Sequence, residues 1–109
     1  MTNNIKKFRK VFVVQSIKAD FSPLVEVAAN MSFMTTGEEI LEDLYNTIVA
    51  SLEDFDPRTD AIVPSGKSLS CLFTGLALAE KFEYASFQIG VFQSDSGHKR
   101  YEFMEVAIV

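Results

Sequence analysis

The residues best placed to do chemistry form one run, Ala61, Ile62, Val63, Pro64, Ser65, Gly66, Lys67 and Ser68, which follows the outline of a phosphate-binding loop with Ala in place of the first Gly. At a helix start, free backbone N–H groups and the helix dipole attract an anion, and a lysine adds charge. Ile62 and Val63 stand where a loop wrapped around a triphosphate needs small residues. The 109-residue chain also leaves little length after Ser68 for the parallel sheet and second acidic strand of a nucleotide hydrolase. What the run allows is a simpler site, in which Ser65, Gly66, Lys67 and Ser68 hold a phosphate or nucleotide without catalysis. The other reading of the same residues is structural: Pro64 and Gly66 make a turn, Ser65 or Ser68 caps the helix, and Lys67 is solvated.

The remaining reactive groups make no such pattern. Glu53, Asp54, Asp56 and Asp60 lack the alternating oxygen ligands and distal Glu of a calcium loop, and they read as a turn. His98, the only histidine, falls in a turn expected to be exposed, and with Cys71 as the only cysteine no Cys/His metal cluster can be assembled. No two carboxylates are marked as facing one another. We therefore expect no catalytic residue, no cofactor and no metal. Lys6, Lys7, Arg9 and Lys10 are the only basic cluster, read as a solvated arm, and a net charge of −5 disfavours a nucleic-acid partner.

The elements that must position these groups follow from periodicity. Lys10 to Lys18 is β-branched and aromatic, and predicts a first strand. From Leu24 to Thr35, Val25, Val27, Ala29, Met31 and Phe33 alternate with Glu26, Ala28, Asn30 and Ser32, which predicts a half-buried second strand paired to the first as a hairpin. Thr36 with Glu39 is a capping box, and Ile40, Leu44 and Ile48 share one side of a helix from Thr36 to Leu52. Asp60 to Val63 is a short extended segment, and a second helix runs from Lys67 or Ser68 to about Phe82. Tyr84 to Gln93 and Arg100 to Val109 are strand-like, with a positive φ expected at Gly97 between them. The expected fold is one domain over residues 1–109, α+β, with a mainly antiparallel sheet and two helices in the order strand, strand, helix, short strand, helix, strand, strand.

The second helix carries almost no polar side. Leu69, Leu72, Phe73 and Leu76 form a stripe, and Cys71, Ala77, Leu78 and Ala79 fill most of the rest. A helix apolar nearly all round is central in its fold or buried against another subunit. We expect a homo-oligomer, most simply a twofold dimer, that covers Leu72, Phe73, Leu76 and Leu78 or a free edge strand.

The C-terminal half resembles small uncharacterised bacteriophage proteins in layout: a strand into a turn (Asp60 to Gly66), an Ala- and Leu-rich helix (Cys71 to Glu80), and a hairpin ending Tyr101, Glu102, Phe103, Met104, Glu105, Val106. It departs from that layout in carrying Lys67 after the turn glycine. The resemblance implies a phage origin and action on host components inside the cell, and it implies no site residues. No apolar run reaches the roughly 18 residues of a membrane span, and Met1 to Asn4 lacks the apolar region of a signal peptide, so no membrane partner and a cytoplasmic location are expected. The expected function is a non-catalytic interaction protein with a protein partner, the alternative being a binder of a phosphate-bearing small molecule through Ser65 to Ser68, with the basic Arg58, Lys99 or Arg100 nearby.

Overall fold

A computed structural model describes residues 6–83 and 85–107. Its centre is β1 (Phe8–Gln15), whose Val11, Phe12, Val13 and Val14 are closed to solvent from both sides. A strand so apolar needs neighbours at both edges and cover on both faces. The neighbours are β2 (Ala28–Thr35) and β3 (Asp60–Val63), both parallel to β1, and the five-stranded sheet continues through β4 (Ser86–Asp95) to β5 (His98–Ala107) in the order β2-β1-β3-β4-β5. Only β5 runs antiparallel to its neighbour.

The elements appear in the expected order, but the sheet is mostly parallel, which corrects the antiparallel reading. Residues 16–27 make no hairpin: they cross one face of the sheet through a short 3-10 helix, Ser22–Glu26, and return the chain to start β2 beside the beginning of β1. Alternation of apolar residues carries no information on strand direction, and this connection is long enough for a crossover. Leu24 to Val27, assigned above to the second strand, belong to that crossover or its end. The expected inward side of β2 is reversed as well. Ala28 and Met34 are buried, whereas Met31 and Phe33 are exposed, Phe33 meeting Phe21 edge to face at 5.5 Å between centroids.

Two helices cover the opposite face: α1 (Leu41–Ser51) and α2 (Ser68–Lys81). Leu44 and Ile48 of the first, with Leu52 just past its end, pack with Phe12, Val14, Ile62 and Phe55. The capping box forms as a turn ahead of the helix, where Glu39 accepts from the N–H groups of Thr36 and Gly37; these bonds hold its carboxyl below the usual range, Thr36 first. Ile40 is the residue before the helix and is exposed, which corrects its assignment to the packed side.

The second helix corrects the sequence reading most sharply. Its buried side is Ser70, Thr74, Ala77 and Leu78, while Leu69, Leu72 and Leu76 point outward, 37, 58 and 51% exposed. Small residues let the helix lie close to the sheet, and Thr74 satisfies its hydroxyl on the Ser70 carbonyl at 2.8 Å, so burying it leaves no unmet hydrogen bond.

On the other face, Val11, Val13, Ala61 and Val63 are covered by Leu24, Phe21 and Val27 and by Phe103 and Tyr101 from β5. Phe103 lies over Gly90, its direct partner on β4, in space that any Cβ at that position would fill. The β4–β5 turn is Ser96–Gly97, both at positive φ as a type I′ hairpin turn requires, with Gly97 as expected. The predicted strand ends at Tyr84 and at residues 108–109, and the polar start at Met1 to Asn4, lie outside the described residues.

Leu44→Ala should lower unfolding stability by about 2 to 5 kcal/mol. Chemical denaturation checks this, and an unchanged midpoint would take Leu44 out of the core.

Candidate functional site

In a parallel sheet the strand ends that feed crossovers leaving toward opposite faces bound a crevice, and ligands gather there. Here those strands are β1, whose chain leaves over the 3-10 helix face, and β3, whose chain leaves toward α2. They are direct neighbours, with Val13 beside Val63. A third wall comes from an uneven pairing. β4 pairs with β3 only at Gln88 and Ile89, so from Val91 onward β4 and β5 run past the end of β3 as a two-stranded ribbon.

Between the ribbon and residues 17–20 lies a hollow of about 510 Å³. Ile17, Val63, Pro64, Phe92 and Tyr101 give it apolar walls, with Phe92 and Tyr101 directly opposed across the ribbon and 5.4 Å apart edge to face. Its charged groups are Lys18, Lys99 and Asp20. Asp20 is held by its turn: hydrogen bonds from Ser22, helped by the charge of Lys99, keep its carboxyl below the ordinary value. Burial and then the Asp20 charge push the Tyr101 phenol up, so it stays neutral near neutral pH.

The sequence-predicted run Ser65 to Ser68 sits at the same strand ends but turns mostly away from the hollow, which only Ser65 lines. The Ser65 hydroxyl accepts from the Gln15 N–H at 3.1 Å and donates to the Gln15 carbonyl at 2.8 Å. Gln15 Oε1 takes the Lys67 N–H at 2.8 Å, and Lys67 Nζ donates to the Gly37 carbonyl at 2.8 Å. Lys67 itself precedes α2, with no side chain capping the helix. The Gln15 amide lies across both loops, against Gly37 and Gly66, whose positive φ and missing side chains make room for it. Sequence reasoning missed Gln15. Its one signal was a polar residue closing the run Val11 to Val14.

Other groups singled out in the sequence are spent on structure. Burial pushes the Cys71 thiol up, and its Sγ faces the Ser65 carbonyl at 3.6 Å, the opposite of an activated nucleophile. Asp60, fully buried, accepts from Arg9, Thr59 Oγ1 and the Asp56 N–H. Lys10 pairs with Asp54, Lys6 donates to the Val25 carbonyl, and Lys7 lies over the rings of Phe8 and Phe103. The basic cluster expected as a solvated arm is exposed at Lys6, Lys7 and Arg9, and it also makes these contacts within the chain. His98 begins β5 and is exposed. Among the described residues no three His, Cys, Asp or Glu side chains form a group that could hold a metal, and no helix is long and apolar enough to cross a membrane.

The expected interface residues divide. Leu72 and Leu76 are exposed, Phe73 is half-buried against Tyr45 of α1 at 5.4 Å edge to face, and Leu78 is buried within the chain. Leu41, one turn before Tyr45, is exposed too, so the outward leucines of α2 continue through Phe73 and Tyr45 onto the first helix.

Comparison with family models, with curated proteins and with solved structures gives no match.

Gln15→Ala would remove the acceptor of the Lys67 N–H and the group filling the space between Gly37 and Gly66. A loss of about 1 to 3 kcal/mol in unfolding stability is expected. Denaturant titration of the variant checks it, and a loss within experimental error would reduce Gln15 to a bystander.

Proposed function

We propose that this chain is a non-catalytic interaction protein that first assembles with itself and then binds a macromolecular partner. The observation that carries the reading is the orientation of α2: three leucines at helical spacing face outward, joined through Phe73 and Tyr45 to the exposed Leu41. Apolar side chains gathered in this way mark an interaction surface. An identical subunit is the simplest cover, because closed twofold symmetry buries the same patch on both copies. The engagement of Cys71, Ser65 and Asp60 in hydrogen bonds within the chain agrees with a protein that works by binding. The likeness to small phage proteins adds a host macromolecule as the partner and a host cytoplasm as the place.

Light scattering across a range of concentrations should return a mass of two chains, and Leu72→Glu with Leu76→Glu should return one chain while leaving the circular dichroism spectrum unchanged. A single-chain mass for the unaltered protein at every concentration would reject self-assembly.

A second reading, a binder of a phosphate-bearing small molecule, draws on one specific observation: α2 begins at the strand ends with no side-chain cap on its N-terminus. In this reading Ser65, Gly66, Lys67 and Ser68 receive the phosphate, and the bond from Lys67 Nζ to Gly37 opens to admit it. Calorimetry with inorganic phosphate and with nucleotides should then give heat that Lys67→Ala weakens without unfolding the chain. No heat from any of them would reject it.

A further inference from the structure

We propose that the hollow at the strand ends binds a small organic anion: a flat apolar or aromatic body carrying one carboxylate or phosphate group. The inference rests on the small-molecule reading above, but it moves the site from the turn to the hollow and names the ligand class. It is independent of self-assembly.

Shape comes first. The hollow is of the size that small-ligand sites have, and its position between strands whose chains part toward opposite faces is where open parallel sheets place their ligands. The rings of Phe92 and Tyr101 form one wall, Val63 and Pro64 lie at the ends of the strands, and Ile17 lies across from the ribbon. Such surfaces take an apolar or aromatic body.

Polar chemistry then sets where the ligand can carry its charge. The Ser65 hydroxyl has spent its proton on the Gln15 carbonyl and accepts from the Gln15 N–H, so it gives the ligand no donor. Among the described residues that line the hollow the charged ones are Lys18, Lys99 and Asp20, two ammonium groups against one carboxylate. This lining carries one more positive than negative group in a chain whose net charge is −5. Asp20 already receives Ser22 and faces Lys99, which leaves the lysines as the groups able to meet an anion. Ser94 and Lys99 are direct cross-strand partners, as are Phe92 and Tyr101, so the cationic and aromatic parts of the wall lie on one side of one ribbon.

The test uses four probes followed by amide chemical shifts of the full chain: 1-naphthoate, 1-naphthyl phosphate, 1-naphthalenemethanol and inorganic phosphate. Naphthoate or naphthyl phosphate should move the signals of residues 17–20, Ser94, Lys99 and Tyr101, and the tighter of the two identifies the anionic group. Naphthalenemethanol, which lacks the charge, and inorganic phosphate, which lacks the body, should each bind about tenfold more weakly or worse. The double variant Lys18→Gln, Lys99→Gln should weaken the aromatic anions by about tenfold with signals elsewhere unmoved, whereas Leu72→Glu should leave their binding unchanged. The proposal is overturned if none of the probes moves these signals, if the neutral alcohol binds as tightly as the anions, or if the double variant binds as the unaltered chain does. Inorganic phosphate moving Ser65 to Ser68 in place of the hollow would also overturn it, while upholding the phosphate reading of the turn.

Discussion

The constraint from which the architecture follows is the burial of β1. Four consecutive side chains, Val11 to Val14, have no access to water, so alternate residues demand an apolar layer above and another below. The chain meets the demand unequally. One face receives two full helices with Leu44, Ile48, Leu52 and Leu78. The other receives a 3-10 helix of five residues and aromatic side chains from β5. The hollow is what this unequal cover leaves where β3 stops and the β4–β5 ribbon continues.

Polar residues at both ends of the sheet fasten strands whose order in space differs from their order in sequence. At the end where β3 starts, Asp60 gathers Arg9 from β1 and the N–H of Asp56 from the preceding turn. At the other end Gln15 and Ser65 exchange two hydrogen bonds, and the Gln15 amide reaches on to Lys67. β1 and β3 are thus tied at both extremities. Those ties use up the polar groups of Asp60, Gln15 and Ser65, and leave on the surface the outward leucines of α2 and the lysines of the hollow, Lys18 and Lys99.

Elements were legible in the sequence to the extent that their signals were local. β3 and α2 lie where turn residues and apolar spacing put them, and Gly97 takes the positive φ its hairpin needs. Strand direction was not legible, because the same alternation suits a hairpin or a crossover. The inward side of α2 was misread for a different reason. Leucine outranks threonine on any scale of hydrophobicity, yet the sheet accepts Ser70, Thr74 and Ala77 because they are small and because Thr74 bonds back to its own helix. Of the candidate site, Ser65 was readable as a loop residue. Lys99 was named beside it as a nearby basic residue, whereas Lys18, Phe92 and Tyr101 were not legible, since their proximity depends on how far β4 overhangs β3.

The two outer strands of the sheet are guarded very differently. β5 carries Lys99, Arg100, Glu102 and Glu105, charges that resist the addition of a foreign strand. β2 reads AANMSFMT, with neither a charge nor a proline, and it exposes Met31 and Phe33. During synthesis β2 leaves the ribosome together with β1, before β3 and either helix exist. In that interval the nascent chain holds its most apolar strand beside an unguarded edge, the combination that seeds strand-to-strand aggregation. Covering Val11 to Val14 takes both helices and the aromatic side chains of β5, so a charged residue at Ser32 would act on the chain before those segments are in place rather than on the finished fold.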